Sequence, residues 1–153
     1  MKTKLELNSV SFIGKYEITV LGDGRIILPT DVIQQLKNHN TKRLLPSKIP
    51  GLKALVLCPE THWNQWIYKL KREFPCLKTN NGARTFFVPW KPIIWDSKGR
   101  ITLPRRAREY VELKPCHAAI ILGNHLYFEL WSEEEYTKIT RECEATLHES
   151  IQR

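Results

Sequence analysis

One short sequence occurs twice in this chain of 153 residues, and this repetition constrains the fold more than any other feature. Residues 24–29 are GRIILP and residues 99–104 are GRITLP, identical at five of six positions and 75 residues apart. Residues 55–70 and 128–143 form a second similar pair at a spacing of 73. Such self-similarity indicates repeated structural units. We therefore divide the chain into a first repeat at 8–74, a linker at 75–82 and a second repeat at 83–153.

Each repeat has the pattern of a small β-α-β unit followed by a further helix. The second strand of each unit ends at a proline, Pro29 or Pro104, which cannot continue a central strand but is tolerated in the first turn of a helix. A tight hairpin turn is predicted at Gly123-Asn124. The predicted strands are Ile18–Val20, Arg25–Leu28, Leu44–Leu45 and Ala54–Leu57 in the first repeat, and Ile93–Trp95, Arg100–Leu103, Ala118–Leu122 and Leu126–Leu130 in the second.

The helix that ends each repeat is predicted from apolar residues at helical spacing. Trp63, Trp66 and Leu70 lie on one such stripe, and Tyr136 begins the other. Ser132 followed three residues later by a glutamate predicts a capping box at the start of the last helix. We interpret both stripes as core or subunit contacts. A single repeat of about 70 residues would bury little core, so we predict an α+β fold in which the two repeats form an intramolecular pseudo-dimer.

Charge is distributed unevenly along the chain, whose formal net charge is +8. Nine lysines and arginines stand against three acids between Lys78 and Lys114, whereas six glutamates stand against two cations between Glu133 and Glu149. A basic body beside an acidic helix favours a polyanionic partner, with one face turned away from it. We expect no small-molecule substrate.

The sequence contains no pattern typical of an enzyme or of a closed metal site. The five histidines lie outside known nucleophile or metalloprotease motifs, and no glycine-rich phosphate loop is present. The cysteines are too scattered for a structural zinc site, so we expect free thiols, no metal and no cofactor. No apolar run or signal-peptide core is found, and we therefore expect a cytoplasmic protein without a membrane segment. The four cysteines are Cys58, Cys76, Cys116 and Cys143.

An arginine directly after each turn glycine is the candidate functional group. Arg25 and Arg100 follow Gly24 and Gly99, so a strand would hold each guanidinium at a defined place. A guanidinium can donate two hydrogen bonds to a phosphate or to a guanine edge. Asp96 can accept hydrogen bonds from the turn N–H groups and fix that geometry. The alternative for Arg100 is an ordinary surface ion pair with a nearby carboxylate.

Three segments resemble the MraZ family of bacterial DNA-binding regulators. FIGKYEITVLGDGRIILP is similar to the start of those proteins, WDSKGRITLPRRAREYVEL to their second repeat, and FELWSEEEYTKI to the end of that repeat. The resemblance implies the swapped-hairpin fold of the AbrB/MraZ superfamily, here as a pseudo-dimer barrel. It also implies a sequence-specific, nucleoid-associated regulator at a cell-wall and division gene promoter, and assembly into a ring-like homo-oligomer.

The residue pattern of the family fits the second repeat better than the first. Leu21 takes the place of Asp96, Asp23 that of Lys98, and Ile33 that of Arg108, so we expect the first turn to contribute less to DNA binding. The alternative function is that of a degenerate family member, an oligomeric module that binds protein or RNA through exposed tryptophans. The predicted DNA-binding residues are Lys15, Arg25, Lys98, Arg100, Arg105 and Arg108, with Gly24, Asp96 and Gly99 shaping the turns.

Overall fold

The structure is a computed structural model that describes residues 11–152. It is an α+β fold, as the sequence predicts, and residues 8–10 of the predicted first repeat lie outside the described residues. The strands are β1 Lys15–Thr19, β2 Ile26–Ile27, β3 Leu44–Lys48, β4 Leu55–Pro59, β5 Arg100–Ile101, β6 Ala118–Asn124 and β7 Tyr127–Ser132. The α-helices of this range are α1 Thr30–Asn38, α2 Trp63–Glu73, α3 Asn80–Phe86, α4 Arg105–Tyr110 and α5 Glu133–Gln152.

One antiparallel sheet, in the order β1-β6-β7-β4-β3, places the two strands of the second repeat between strands of the first. β1 of the first repeat pairs with β6 of the second, from Lys15 opposite Leu122 to Thr19 opposite Ala118. β4 of the first repeat pairs with β7 of the second. The outermost strands β1 and β3 do not pair with each other, so the described strands do not close into the barrel that we predicted. Each repeat supplies one hairpin, β3-β4 or β6-β7, and the five-stranded sheet forms only where the two repeats combine.

The predicted first strand of the second repeat, Ile93–Trp95, is wrong except at its first residue. Ile93 forms a single bridge with Leu44, with hydrogen bonds of 2.8 and 2.9 Å in the two directions. Towards Trp95 the next hydrogen-bonded pair of an antiparallel ladder would be Trp95 with Lys42, and these two residues do not pair. On the other side of the bridge Pro46 has no N–H to donate, and its carbonyl accepts a hydrogen bond from the N–H of Trp90 at 2.9 Å.

The short strands β2 and β5 pair separately and form a two-stranded ribbon. Residues alternate along it, because Ile26 and Ile101 are buried while Ile27 is exposed. The buried face of the ribbon packs into one core with the sheet and with helices α1 and α4. The helices contribute Val32, Leu36 and Ala107 to this core. Pro29 and Pro104 cap the two helices rather than lying inside their first turns. The polar side of the ribbon is thereby left facing outward.

The predicted turn at Gly123-Asn124 is wrong, because both residues belong to β6. The last pair of the hairpin joins Asn124 to Tyr127, so the turn consists of His125, at φ +56°, and Leu126. Gly123 has a different role. A Cβ on this residue would lie 2.5 Å from the backbone nitrogen of Ile13, so only glycine lets the N-terminal segment approach the strand this closely.

A second core lies between the sheet and helix α2, built around Trp66, Leu70 and Trp131. The segment 75–82 predicted as a linker is helical, with a 3₁₀ turn at Pro75–Lys78 and the start of α3, and it packs here through Leu77. No tryptophan is exposed: Trp66 and Trp131 are buried, and the other three are half-buried. The alternative function therefore lacks the exposed tryptophans that we named as its interface.

Helix α5 begins as predicted, since Ser132 Oγ accepts a hydrogen bond from the N–H of Glu135 at 3.2 Å. Tyr136 and Ile139 pack against the second core, whereas every residue from 141 to 152 is exposed. None of the helices in the described range combines the length and apolar character needed to cross a membrane. Cys58 is buried and the other three cysteines are exposed, all as free thiols.

Candidate nucleic-acid interface

The turn of the second repeat is held together by Asp96. Its Oδ1 accepts hydrogen bonds from the N–H groups of Lys98 and Arg100, both at 2.9 Å. Its Oδ2 accepts one from Arg100 Nε at 2.7 Å. Gly99 completes the turn at φ +78°, a conformation that L-residues with a side chain rarely adopt. The carboxylate therefore caps the turn and also forms with Arg100 the ion pair that we gave as the alternative to a functional role of that arginine.

The turn of the first repeat is also closed by a carboxylate, which stands at a different position in the sequence. Asp23 Oδ1 accepts a hydrogen bond from the N–H of Arg25 at 3.0 Å, and its Oδ2 accepts one from Arg25 Nε at 2.7 Å. Gly24 lies at φ +84°. The expectation of a poorer first turn rested on Leu21 and Asp23 as departures from the pattern. The first turn in fact keeps a capping carboxylate, that of Asp23, two residues after the position equivalent to Asp96.

The hydrogen bonds within the turns determine how both aspartates titrate. The N–H of Arg100 lowers the pKa of Asp96 below its ordinary value, and the N–H of Arg25 does the same to Asp23. The bonds that each Nε donates add to both effects. Hydrogen bonds to an ionised carboxylate favour its charged form. Both turns are therefore closed by a carboxylate that stays ionised at neutral pH.

Both turn arginines lie on the outer face of the ribbon. In the ladder Arg100 lies opposite Ile27, and the same register places Arg25 opposite Thr102. Alternation puts these four side chains on one face, opposite the buried Ile26 and Ile101. Arg25 and Arg100 also line one cleft of about 470 Å³. Their side chains keep 37% and 33% of their surface accessible, so both can still bind a ligand.

Each turn glycine is covered by a side chain from the other repeat. A Cβ on Gly24 would lie 2.9 Å from Cζ of Arg108 and closer still to its Nη1, so this guanidinium rests directly on the first turn. At the equivalent place in the second turn, a Cβ on Gly99 would lie 3.3 Å from Cδ1 of Ile33. Arg108 was predicted as part of the second repeat's site, and the fold places its charge on the first.

The other predicted DNA-binding residues occupy different positions. Lys98 is exposed at the tip of the second turn. Arg105 is exposed at the start of α4, where its Nε donates to Glu109 Oε1 at 2.9 Å. Lys15 is not brought near the turns, because it lies at the far end of β1 with its Nζ 4.9 Å from the ring centre of Tyr136. We therefore separate Lys15 from the candidate interface.

Sequence reasoning missed two residues of the interface. Asp23 was noted only as a departure from the pattern, although its spacing of two residues from Arg25 is that of an Asx turn and could have indicated its role. Lys91 lines the cleft with Arg25 and Arg100. Nothing in the sequence around Lys91 indicates this position, since it depends on the bridge between Ile93 and Leu44.

The arrangement of the turn arginines is suited to anion binding. Among residues 11–152 no three histidine, cysteine, aspartate or glutamate side chains are grouped closely enough to hold a metal ion. His39 Nδ1 and His62 Nε2 lie 3.3 Å apart, and His62 Nδ1 donates to the carbonyl of Leu126 at 2.8 Å. The bond from His62 to Leu126 joins the first repeat to the second. The guanidinium groups on the ribbon are the groups that can meet a phosphate or a base edge.

Comparison with known proteins identifies relatives over most of the chain. The sequence profile of the family described as "MraZ protein, putative antitoxin-like" matches residues 91–153. A protein of Desulfitobacterium hafniense named transcriptional regulator MraZ is 31% identical over 136 residues, covering 87% of this chain and 89% of the relative. Proteins with the same name are 28% identical in Desulforamulus reducens (90% and 93% covered) and 26% in Bacteroides fragilis (89% and 86%).

The matches reach both repeats. The profile covers most of the second repeat, and the relatives extend into the first repeat as well. Identity of 31% over nearly the full length of both chains, in the same order of segments, shows common descent. This chain is a member of the MraZ family.

Proposed function

We propose that this protein is a sequence-specific DNA-binding transcriptional regulator. The observation that carries the proposal is the ribbon of β2 and β5, which presents Arg25 and Arg100 on one outward face beside a shared cleft. The major groove of B-form DNA admits a two-stranded β-ribbon. The relatives are named transcriptional regulators, which supports the same role for this chain. The proposal assigns no catalytic activity to it.

The two guanidinium groups suit base recognition because their positions are fixed. Each Nε is bonded to a turn aspartate at 2.7 Å, which leaves the terminal Nη groups of Arg25 and Arg100 to donate outward. A paired Nη donor fits the O6 and N7 acceptors of guanine. Lys91 and Lys98 lie beside them and are suited to phosphates, which set the register of the protein on the duplex.

We also propose the swapped-hairpin pseudo-dimer as the architecture of this site. It is supported by the exchange of first strands, since β1 pairs with β6 of the other repeat and Ile93 pairs with Leu44 of the other repeat. The two pairings involve equivalent segments of the two repeats. They bring the two turns to the same side of the molecule, as a palindromic or tandem DNA site would require.

The target follows from the family resemblance. We propose repeated DNA elements in the promoter of a cell-wall and division gene cluster, and hence a cytoplasmic, nucleoid-associated protein. Binding-site selection from random double-stranded DNA, followed by sequencing, tests this proposal. We expect one enriched motif with internal repetition, containing guanine at the positions nearest Arg25 and Arg100. Selection that enriches no motif would overturn sequence-specific binding.

The electrostatic part of the proposal has its own test. Binding of a labelled duplex is measured by fluorescence anisotropy over a range of NaCl concentrations, with a single-stranded RNA of equal length as competitor. The logarithm of the association constant should fall against log salt by about 0.9 for each phosphate neutralised. Stronger binding of the RNA would instead favour the alternative of an RNA-binding module.

We further propose a homo-oligomer, with a closed ring as the expected form. Leu147 and Ile151 on the outer half of α5 are 59% and 74% exposed, on an acidic helix whose inner half alone is packed. One interface repeated head to tail can close into a ring. Light scattering of the full chain at micromolar concentration should give a mass several times 18.0 kDa, and a monomeric mass would overturn the proposal.

A further inference from the structure

Arg108 is the arginine of the second repeat that lies on the turn of the first. Its guanidinium occupies the space above Gly24, where a Cβ would come within 2.9 Å of Cζ. Gly24 is the residue immediately before Arg25. Helix α4 holds this position, because Ala107 beside it is buried completely in the core. Arg108 is therefore tied to the first turn by the packing of the two repeats against each other.

The charge of Arg108 is not neutralised within the described part of the chain. Arg25, Arg100 and Arg105 each have a carboxylate oxygen within 2.9 Å of Nε. Between Ser11 and Gln152 the structure gives Arg108 no such ion pair and no side-chain hydrogen bond, although its neighbour Glu109 is bonded to Arg105. A guanidinium held in place beside a turn, with its donors unused, is a site for an anion.

The two turns differ in formal charge, and the first turn matches the second only when Arg108 is counted with it. In the second turn Lys98 and Arg100 outweigh Asp96 and leave a charge of +1. In the first turn Asp23 cancels Arg25, because an aspartate stands where the second turn has Lys98. Arg108 gives the first turn the +1 that it lacks. Ile33, which takes the equivalent place on Gly99, brings no charge to the second turn.

We infer that the first DNA-contacting site is composite: Arg108 of the second repeat binds a DNA backbone phosphate beside Arg25 of the first. The second site is complete within its own repeat, with Lys98 in the role of Arg108. This inference rests on the proposed DNA-binding function. In the composite site Arg108 acts together with Arg25, which is distant in sequence. Arg108 does not act with Arg100, although Arg100 lies only eight residues before it in the same repeat.

A double-mutant cycle on the full-length protein tests the pairing. Arg108→Ala is combined with Arg25→Ala and, separately, with Arg100→Ala, and binding of a labelled selected duplex and a labelled random duplex is measured against NaCl. Arg108→Ala should weaken both duplexes by a similar factor and lower the salt slope by about 0.9, as the loss of one phosphate contact does. Its effect should be smaller in the Arg25→Ala background and unchanged in the Arg100→Ala background.

Two further variants keep the test decisive. Arg106→Ala removes an exposed arginine of the same helix and should show no coupling to Arg25. Ile33→Arg places a guanidinium on the second turn and should raise the salt slope by about 0.9. Thermal unfolding of each variant confirms that the fold survives before its binding is interpreted.

The outcomes separate this inference from the function on which it rests. Coupling of Arg108 to Arg100, or equal effects in both backgrounds, would overturn the composite site while leaving DNA binding intact. An unchanged salt slope in Arg108→Ala would do the same. Failure of the wild-type protein to bind either duplex would overturn both the composite site and the proposed function.

Discussion

Asp23 accepts hydrogen bonds from both the backbone N–H and the Nε of Arg25, at 3.0 and 2.7 Å. Asp96 does the same for Arg100 at 2.9 and 2.7 Å, although it is four residues from its arginine and Asp23 is two from its own. The two turns have thus diverged in sequence and retained one geometry. Substitution of a pattern residue need not mean loss of a site when a neighbour can perform the same bonding.

The equal geometry of the turns predicts that Arg25→Ala and Arg100→Ala weaken binding of the selected duplex to a similar extent. We expect each to cost about 1–3 kcal/mol of binding free energy, the range typical of an arginine that contacts a base. Fluorescence anisotropy at constant salt measures both. Arg72→Ala is the matched control, because α2 packs on the second core and not on the ribbon. A much smaller loss for Arg25→Ala would restore the expectation of a weaker first turn.

The lowered pKa values of the two turn aspartates predict that the turns persist into acid. A carboxyl group whose pKa is lowered by folding stabilises the fold above its unfolded pKa, and this contribution is lost as the pH falls through the lowered value. The backbone amide resonances of Arg25 and Arg100 should therefore titrate with midpoints below 3.8. Asp96→Asn should abolish the titration of Arg100 alone. Midpoints at or above 3.8 would contradict the hydrogen bonding described.

The turn glycines should be sensitive to a single added methyl group. Gly24→Ala and Gly99→Ala each place a Cβ on a residue with φ near +80°, which costs about 1–2 kcal/mol, and each also meets a side chain of the other repeat. Gly22→Ala is the control, because a Cβ there meets nothing within 4 Å. Urea unfolding should show losses for the first two and a change within about 0.5 kcal/mol for Gly22→Ala. Equal stability of all three would refute this account.

The single bridge of Ile93 with Leu44 should matter to stability despite its small size. Ile93 is 3% exposed and belongs to the main core, so Ile93→Ala should cost about 2–5 kcal/mol of unfolding free energy. Its neighbour Ile94 is 66% exposed at the cleft, and Ile94→Ala should change stability by no more than about 0.5 kcal/mol. Denaturant unfolding of the two variants in parallel makes the comparison. Similar losses in both would show that Ile93 does not anchor the second repeat.

Much of the local structure could be predicted because it depends on neighbouring residues. The turns at Gly24 and Gly99, the helices after Pro29 and Pro104, and the capping role of Asp96 all follow from residue types at short spacing. The same reasoning failed at Gly123, because this glycine makes room for the backbone of Ile13 in the segment that runs beside β6 and does not form a local turn. Local patterns cannot show which distant backbone approaches a residue.

The candidate site could be predicted only in part for the same reason. The sequence indicates Arg25 and Arg100 because each follows a turn glycine. It assigns Arg108 to its own repeat, whereas the exchange of strands carries this residue to Gly24. Lys91 joins the cleft through the pairing of Ile93 with Leu44, which no periodicity encodes. Contacts between residues of different repeats cannot be predicted from local sequence, because they depend on how the two repeats pack together.

The pairing of β1 with β6 has a consequence for synthesis of the protein. When the first repeat leaves the ribosome, the partner that should cover β1 has not yet been translated, and β4 likewise awaits β7. Contacts between segments so far apart in sequence form late, since loop closure must precede them. We expect the nascent first half to remain without a finished sheet until the C-terminal strands emerge. A single repeat translated alone would therefore lack the strands of the other repeat that pair with its own in this sheet.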